Sequence, residues 1–575
     1  MKNFDISAIF NKIADLLEIR GDNPFRVRAY RKAAFNIETL GRDVSGLSAA
    51  DLTEIPGIGS DLASKIEEYL RSGRIGTYEK LRQEVPEGLA DLLNVPGLGP
   101  KTVGLVYRQY KVRNLDELER LARDHRLASL PGIKEKTESN IIKGVEMLRR
   151  ASSRYPLGRI LPLAEEIGRY LREKAPVDRM DVAGSIRRWK ETVKDIDILS
   201  TSKDPKAVML AFIHMPGVKE VLMKGPTKSS VVTEEGIQVD IRVVEEDSYG
   251  SALAYFTGSK AHNIRLREMA VKAGMKLNEY GIFREKGGKK LGGREEKDIY
   301  RLLGLAYVPP ELREDTGEIE AAAEGSLPCL VELSDIRGDL HLHTSWSDGS
   351  QSLEELVEAS INRGYQYAAV TDHSKGLGVA RGLNEERILE QMRHVSSLNR
   401  RLRSFRLLSG VEVNIKADGS LDFDAGLLRR LDIVVASVHS GFKQPGEKIT
   451  KRIVAAMQNP CVSIIAHPSG RLIGEREAYE MDMDAVLRAA SRTGTAIEIN
   501  AYPLRLDLSD SYVRTARAQN VPLVISTDSH TAGQFQNMAY GLGVARRGWL
   551  EKGDVANTLD SDELLKILQK KRPAS

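Results

Sequence analysis

The last third of the chain alternates short apolar, β-branched runs with longer amphipathic stretches. Seven such runs follow residue 337, and helical patterns such as 352–364 and 482–494 lie between them. Short apolar runs of this kind predict buried strands, and the 3.6-residue spacing between them predicts helices. The alternation therefore predicts a parallel α/β barrel, in which functional groups lie at the carboxyl ends of the strands.

Residue types that bind metals end these predicted strands. The chain has 10 histidines, and six of them close or follow an apolar run in this region. A lone histidine at such a position usually has a structural role, but repetition over successive strands is typical of a multinuclear metal site. Three carboxylates occupy equivalent positions, and the nine candidate ligands are His341, His343, Asp348, His373, Glu412, His439, His467, Asp528 and His530.

Three short segments near the N-terminus share an apolar-Pro-Gly-apolar pattern. They are 55–59 (IPGIG), 95–99 (VPGLG) and 130–134 (LPGIK), and each joins two helical patterns. Glycines permit the tight turn and leave free amides at the start of the next helix, where a phosphate can bind. The pattern resembles the helix-hairpin-helix motif that grips the DNA backbone, although three ordinary helical corners would also explain it. The candidate DNA contacts are Gly57, Gly59, Gly97 and Gly99.

Two strand patterns in the middle of the chain carry acids. Asp195 and Asp197 are two residues apart on one strand and so face the same side, and Asp240 lies within a second strand. If the strands pair, three carboxylates meet on one face, and two Mg²⁺ ions would relieve their repulsion in two-metal phosphoryl transfer. Such an acid pair alone would be explained by surface alternation.

A glycine-serine turn lies upstream of the acid pair. Gly184 and Ser185 precede Arg187 and Arg188. Backbone amides, a hydroxyl and a guanidinium are the groups that bind a triphosphate. The turn and the acids together predict nucleotidyl transfer.

Residues 1 to about 316 resemble the family X DNA polymerases, the family of eukaryotic polymerase beta. The matching motifs are Gly184-Ser185, the three aspartates, 255–259 (YFTGS) and 277–280 (LNEY). The resemblance implies that the aspartates hold two Mg²⁺ or Mn²⁺ ions and that Ser185 and Arg188 contact the triphosphate. It also implies that the incoming nucleotide and the nascent base pair are contacted by Tyr255, Phe256, Gly258, Asn263 and Arg267.

The N-terminal segment matches the lyase-like domain of that family less completely. Its cluster of cations without an acid suits a 5′-phosphate, and a solvated helix face is the alternative; the cluster is Arg26, Arg28, Arg31 and Lys32. Lys65 matches the Schiff-base lysine of the lyase relatives. Asp61 stands where those relatives have a second lysine, and an acid there would keep Lys65 protonated and non-nucleophilic.

Residues 337–575 resemble the polymerase-and-histidinol-phosphatase (PHP) domain, a distorted barrel that holds up to three Zn²⁺ or Mn²⁺ ions. All nine ligand positions of that family are filled in this sequence, which implies an active phosphoesterase. The expected fold is therefore multidomain α+β and α/β. The predicted domains are a lyase-like helical domain (1–88), a fingers-type helix-hairpin-helix domain (89–153), a nucleotidyltransferase palm with a mixed sheet (154–246), a thumb (247–316), a linker (317–336) and a (β/α)7 PHP barrel (337–575).

Composition narrows the class of protein. The 575 residues are 41% hydrophobic and 29% charged, as in folded globular proteins, and apolar runs are too short for a membrane span. Two cysteines indicate a reducing compartment, so we expect a cytoplasmic, nucleoid-associated protein. The net charge of +4 is too small to indicate nucleic acid by itself.

The expected function is a DNA-directed DNA polymerase that fills short gaps in base excision repair. Its partners would be gapped or nicked double-stranded DNA and dNTPs, without a membrane, and the chain would be a monomer. The PHP domain would act as a metal-dependent 3′–5′ exonuclease, with AP endonuclease or 3′-end processing activity. Two alternatives stay open: a small-molecule phosphoesterase in the PHP half, or a DNA-binding scaffold with weak catalysis.

Overall fold

The structure is a computed structural model that divides into two compact units, Met1–Ser153 and Arg154–Ser575. It describes residues 2–38, 44–55, 57–85, 89–93, 95, 98–130, 133, 137–138, 141–142, 144–145 and 154–572, apart from the side chains of residues 4, 35, 38, 90, 91 and 379. Gly97 of the second hairpin therefore lies outside the described residues.

The N-terminal unit is helical throughout its described residues, as the sequence predicts. Its first two helices pack against each other, with Phe10 and Tyr30 in edge-to-face contact at 5.4 Å. Its α-helices are Lys2–Arg20, Pro24–Glu38, Ala49–Thr53, Ser60–Ser72, Gly76–Glu84, Leu89–Leu92, Pro100–Tyr110 and Leu115–Arg123, with 3-10 turns at Val44–Gly46 and Leu127–Ser129.

The second unit begins with a mixed five-stranded sheet beside a two-stranded ribbon. The ribbon consists of β1 (Tyr155–Pro156) and β3 (Thr192–Val193), and the sheet of β2 (Arg179–Val182), β4 (Asp195–Thr201), β5 (Val218–Lys224), β6 (Lys228–Thr233) and β7 (Gln238–Val243). The sheet has the order β2-β4-β7-β6-β5, in which β4 and β7 pair in parallel and the other neighbours are antiparallel. Helices Leu157–Lys174, Gly184–Arg187 and Pro205–Ile213 accompany this sheet.

A smaller sheet with three helices follows. The strands of this sheet are β8 (Met275–Asn278), β9 (Gly281–Arg284) and β10 (Lys290–Gly292). Their order in the sheet is β10-β9-β8. The helices are Tyr249–Thr257, Lys260–Lys272 and Glu296–Leu302, with 3-10 turns at Glu246–Ser248 and Pro310–Leu312.

The segment 317–336, which we predict to be a linker, is structured. It contains the helix Glu318–Glu324 and the 3-10 turn Leu333–Asp335. Ile319 and Ala322 are buried in a local core, and the buried Glu318 lies 2.7 Å from Nδ1 of His262. The segment therefore packs as part of the fold, because Ile319 and Ala322, about one turn apart, both face this core.

The rest of the unit is a nearly closed barrel of seven parallel strands in sequence order, which confirms the predicted fold. The strands are β11 (Gly338–Leu342), β12 (Tyr367–Val370), β13 (Arg406–Asn414), β14 (Ile433–Ser437), β15 (Ile464–Ile465), β16 (Ala496–Asn500) and β17 (Leu523–Ser526). The amide of His343 donates to the carbonyl of Ser529 at 2.9 Å, next to a parallel bridge between Leu342 and Ser529.

Helices follow most barrel strands. They are Leu353–Asn362, Glu385–Asn399, Ala425–Leu428, Gly446–Gln458, Met483–Thr493, Asp510–Ala518, Met538–Arg547 and Ser561–Leu568, with 3-10 turns at Gly378–Ala380, Ala532–Asn537, Lys552–Asp554 and Ala556–Thr558. Among the helices of the described ranges, none is both long and apolar enough to cross a membrane.

Candidate active sites and DNA contacts

The nine predicted metal ligands converge in the barrel, and Glu412 of β13 lies at their centre. Its carboxylate lies 2.7 Å from Nδ1 of His373, 3.2 Å from Nε2 of His467 and 3.3 Å from Nε2 of His439. Nε2 of His341 lies 3.4 Å away. One buried carboxylate thus faces imidazoles from four different strand ends.

Two further carboxylates complete the cluster. Asp528 lies 3.1 Å from Nε2 of His343, and Asp348 lies 3.5 Å from Nε2 of both His373 and His530. Three groups in the described part of the chain have ligand atoms within 4.8 Å of one another, and all are in the barrel: His343, Asp348, His373 and His530; His341, His343 and Asp528; His373, Glu412 and His439.

Several atoms of this cluster are buried and make no well-directed hydrogen bond, even where Nδ1 of His373 and Oε2 of Glu412 lie 2.7 Å apart. They are Nε2 of His341, Nδ1 of His343, Nδ1 of His373, Nδ1 of His467 and Oε2 of Glu412. Buried polar atoms are rarely left unsatisfied, so each such atom calls for an explanation. Imidazole nitrogens and carboxylate oxygens are ligands for Zn²⁺ and Mn²⁺, and bound ions would satisfy them. The residues therefore fit a metal cluster.

The backbone at two ligand positions is unusual. His467 has φ of 28° and Asp528 has φ of 54°, both in the left-handed region that non-glycine residues seldom adopt. Such conformations cluster at functional sites, where the surrounding structure holds them in place. Here they direct the two side chains toward the cluster.

Charged side chains in the barrel compensate one another. Burial lowers the pKa of His341, but Asp528, Glu498 and Glu412 outweigh burial and raise that pKa well above its usual value. Burial would raise the pKa of Glu412, yet the histidines around it hold that pKa well below the usual range. His343, buried beside His373, has its pKa lowered to about 3.

The sequence reasoning missed the residues that orient the ligands. Oε1 of Glu498 lies 2.7 Å from Nδ1 of His341, and Oε2 accepts the amide of His467 at 2.7 Å. Oδ1 of Asn414 lies 2.7 Å from Nδ1 of His439. Such partners fix ring orientation in metal sites. Glu498 had a signal, because it is a carboxylate near the end of an apolar strand (AIEIN), like the predicted ligands.

The three predicted catalytic aspartates lie on adjacent parallel strands. Asp197 of β4 is directly opposite Asp240 of β7, and Asp195 is opposite Gln238. Nε2 of Gln238 donates to Oδ2 of Asp240 at 2.9 Å, and the hydroxyl of Ser230 donates to Oδ1. The three share one sheet face, as predicted, but they are not among the groups of the described chain whose ligand atoms are within 4.8 Å of one another.

Burial and mutual repulsion both act on this aspartate site. Burial, followed by the charges of Asp195 and Asp240, raises the pKa of Asp197 to about 7. Burial and the nearby Asp240 also raise the pKa of Asp195. A carboxylate cluster without cations is electrostatically unfavourable, and oxygen-rich clusters are what Mg²⁺ and Mn²⁺ prefer. The residues present therefore fit divalent ions.

The glycine-serine turn lies against the aspartates. Gly184 has φ of 63°, and a Cβ there would lie 2.7 Å from Oδ2 of Asp197, so only glycine fits. Arg188 does not extend freely toward a triphosphate: its Nε donates to Glu314 at 3.0 Å and its Nη1 donates to the carbonyl of Thr257. Sequence reasoning could not foresee this pairing, since Glu314 is far away in the chain.

The residues expected at the nucleotide's sugar and base lie together after β7. Tyr255 is 39% exposed and packs edge-to-face on Phe256, which in turn lies under the Arg242 guanidinium. Nδ2 of Asn263 donates to the carbonyl of Tyr255 at 2.7 Å. A pocket is lined by Ser251, Ala254, Tyr255, Asn263, Leu266, Arg267, Leu277, Asn278 and Ile299. Gly258, with φ of 69°, ends the helix that carries Tyr255.

The helix-hairpin-helix turns of the N-terminal unit share one hydrogen bond. It runs from Ile58 N to Ile55 O, from Leu98 N to Val95 O and from Ile133 N to Leu130 O, at 3.0, 3.0 and 3.1 Å. Gly59 and Gly99 are the N-caps of helices Ser60–Ser72 and Pro100–Tyr110, and no side chain caps either helix. The backbone amides that begin these helices are thus available to a phosphate, from Ser60 in the first helix and from Lys101 in the second, since Pro100 has no N–H.

The predicted phosphate-binding cations lie on helix Pro24–Glu38, and most have partners. Nη2 of Arg31 lies 2.6 Å from Asp15, Arg26 lies 3.7 Å from Asp22, and Arg28 lies over the Phe25 ring. The Lys32 stem approaches Gly57, whose φ is 82°. Lys65 forms an ion pair with Asp61 one turn earlier.

Four segments match known families. Residues 1–75 match a helix-hairpin-helix domain and residues 89–146 a SAM-like helix-hairpin-helix tandem. Residues 252–314 match the DNA polymerase beta thumb, and residues 339–502 match the PHP domain.

Similar proteins cover the chain in whole or in part. It is 40% identical over 559 residues, 97% of each chain, to the DNA polymerase/3′-5′ exonuclease PolX of Bacillus subtilis (strain 168). It is 28% identical over 346 residues to DNA polymerase lambda of Rattus norvegicus, covering 54% of this chain and 56% of that protein. Over 246 residues it is 29% identical to a probable phosphatase of Thermoanaerobacter sp. (strain X514), covering 41% of this chain and 95% of that protein.

Proposed function

Because the chain belongs to the family X DNA polymerases that carry a C-terminal PHP domain, we propose that it fills short DNA gaps and trims 3′ ends. The observation that supports this most strongly is the presence, in one compact unit, of two separate clusters of side chains that can bind metal ions. One is a carboxylate triad of the kind that supports nucleotidyl transfer, and the other is a histidine-rich barrel that supports phosphoester hydrolysis.

In the polymerase site, Asp195 and Asp197 would hold two Mg²⁺ or Mn²⁺ ions and Asp240 one of them. Such ions neutralise charge on the phosphates and activate the 3′-hydroxyl. Asp240 would accept the proton of the primer 3′-hydroxyl, and its hydrogen bonds from Gln238 and Ser230 would fix its carboxylate for that role.

The polymerase substrate would be bound by the residues around this triad. The turn at Gly184 and Ser185 would bind the triphosphate. Arg188 would release Glu314 and donate its hydrogen bonds to the triphosphate instead. Tyr255 and Phe256 would pack on the sugar, with Gly258 allowing close approach and Asn263 and Arg267 near the nascent pair.

In the barrel, Glu412 and the eight residues clustered around it would hold up to three Zn²⁺ or Mn²⁺ ions, which would activate water for attack on a phosphodiester. The residues' own contribution is orientation: Glu498 and Asn414 fix the rings of His341 and His439. The reaction would be 3′–5′ exonucleolysis, with cleavage at abasic sites and blocked 3′ ends, in base excision repair.

The N-terminal unit would hold gapped or nicked duplex through backbone amides at Gly59 and Gly99 and through the corresponding turns at Gly57 and Gly97. The cations Arg26, Arg28 and Lys32 would add attraction to phosphates; Arg31 is already engaged with Asp15. Lys65, paired with Asp61, would act as a DNA-contacting cation. We propose a monomer that acts in the cytoplasm on the nucleoid.

A second candidate function for the barrel is a small-molecule phosphoesterase. It is favoured by the alignment to almost the full length of a probable phosphatase. Release of inorganic phosphate from histidinol phosphate, with no products from DNA, would favour this alternative. A scaffold with weak catalysis is less consistent with two complete sets of acidic and histidine side chains.

Reciprocal variants test the proposal on a duplex with a one-nucleotide gap and on a duplex with a 3′ overhang. Asp240→Ala should abolish primer extension and leave nuclease activity, while His343→Ala should abolish nuclease activity and leave extension. Extension by Asp240→Ala at the parent rate would overturn the polymerase assignment. Nuclease activity retained by His343→Ala would overturn the barrel assignment.

A further inference from the structure

The barrel touches the polymerase's glycine-serine turn directly. Trp189, which follows the turn with φ of 54°, packs edge-to-face on Tyr540 of barrel helix Met538–Arg547 at 6.0 Å. A Cβ on Gly543 of that helix would lie 2.7 Å from the Trp189 ring. The close approach requires glycine there, so the helix is fitted to the turn.

Arg547, the last residue of the same helix, joins the contact through hydrogen bonds. Its Nη1 donates to the carbonyl of Arg188 at 2.8 Å and to Oε1 of Glu314 at 3.1 Å. The same Glu314 oxygen accepts Nε of Arg188 at 3.0 Å. A barrel arginine therefore holds both the backbone of Arg188 and the carboxylate that its side chain binds.

The geometry of Arg547 is itself fixed within the barrel. Its Nε and Nη2 lie 2.8 and 2.6 Å from Oδ2 of Asp510, at the start of the next helix back. The side chain is only 5% exposed. A buried guanidinium with several hydrogen bonds is rigid and is costly to remove.

Arg546 provides a comparison. It lies on the same helix and also crosses the interface, with Nε 2.7 Å from Glu311 and Nη1 donating to the carbonyl of Val331. Within the part of the chain that the structure describes, Arg546 makes no hydrogen bond or ion pair with residues 184–190. If these arginines only held the interface together, replacing either one should therefore have the same effect.

We propose that Arg547 is a positioning residue for the polymerase reaction, through which the barrel sets the conformation of the triphosphate-binding turn. The inference rests on the proposed role of residues 184–188 in binding the nucleotide. It assigns the barrel a second task besides its own chemistry, namely holding the turn against Asp197 before dNTP arrives.

The experiment is steady-state gap filling by the full chain, with saturating gapped DNA and varied dNTP. We expect Arg547→Ala to raise the KM for dNTP about tenfold with kcat within about twofold, since a charge-assisted hydrogen bond is lost at a binding element. Arg547→Lys, which retains the cation, should recover part of the loss. Barrel nuclease activity should stay at the parent level in both.

Arg546→Ala is the matched control and should leave the KM for dNTP unchanged. Equal KM values for Arg547→Ala and Arg546→Ala would overturn the inference, as would parallel losses of extension and nuclease activity. If Arg547→Ala does not fold, Asp510→Asn, which loosens the same guanidinium, gives the same readout. Asp240→Ala separates the two ideas: if it extends normally, the proposed polymerase site has failed, and otherwise only the inference is in question.

Discussion

The two sites of the second unit solve the problem of gathering charges in different ways. In the proposed polymerase site three acids face one another, and burial together with their repulsion raises the pKa of Asp197 to about 7. In the barrel, acids and imidazoles alternate around Glu412, whose pKa falls well below its usual range. The barrel ligand atoms accordingly lie within 4.8 Å of one another, whereas the aspartates do not form such a group in the described chain.

This difference indicates which site needs bound ions to bring its side chains together. Opposite charges in a buried site attract without help, so the protein alone can hold the barrel cluster together. A cluster of like charges lacks that attraction and needs divalent ions or a proton to close it. We therefore expect a preassembled barrel and a polymerase site that tightens when metals and nucleotide bind.

The largest effect should come from removing the charge at the centre of the barrel. Glu412→Gln leaves several imidazoles without their carboxylate, so we expect loss of bound metal and at least about a 100-fold fall in nuclease activity. Metal content by mass spectrometry and nuclease assays would measure both. Glu354→Gln breaks a carboxylate-imidazole pair with His394 on the surface and serves as the control; full metal content in Glu412→Gln would contradict a central role.

A smaller loss should follow from Glu498→Gln, which keeps the shape of the side chain but weakens its hold on His341. Mutation of a residue that orients a metal ligand typically lowers metal affinity by about 10- to 100-fold. Competition with a chromogenic chelator would measure the affinity of the barrel. An unchanged affinity would show that the His341 ring is held by packing alone.

How much the sequence predicts differs between the sites in the same way. Strand-end residues such as His439 and His467 could be found, because alternating strands and helices place strand ends on one rim. The partners of Arg188 could not be predicted in this way. Glu314 and Arg547 are distant in the sequence and reach Arg188 only through tertiary packing. The linker prediction for 317–336 missed a packed helix for the same reason: its burial depends on His262 and neighbouring apolar residues.

The like charges of the proposed polymerase site also predict how protein stability depends on pH. Asp197 has its pKa raised from 3.8 to about 7, so between those values the folded, metal-free protein binds a proton that the unfolded chain releases. Stability contributed by this group therefore falls as pH rises through that window. Asp197→Asn should stabilise the metal-free chain by about 2 kcal/mol at pH 8 and by much less near pH 5.

Urea unfolding in excess chelator at the two pH values would test this. Asp178→Asn, a change at an exposed carboxylate just before β2, is the control and should show no such trend. An Asp197→Asn gain that is equal at both pH values would mean that burial and the neighbouring carboxylates do not raise the pKa of Asp197 in the folded chain.

The smallest effect is expected in the N-terminal unit, where Lys65 already pairs with an exposed acid. Asp61 is 78% exposed as it binds Lys65, and such pairs contribute little because water and salt screen them. Asp61→Asn should free Lys65 for a 5′-phosphate and tighten binding of 5′-phosphorylated gapped DNA about threefold at low salt. Glu67→Gln, at an exposed position on the same helix, removes the same charge without touching Lys65, so equal tightening by both variants would assign the effect to net charge. The two outcomes can be distinguished by fluorescence anisotropy, since only a released Lys65 makes the gain depend on the 5′-phosphate.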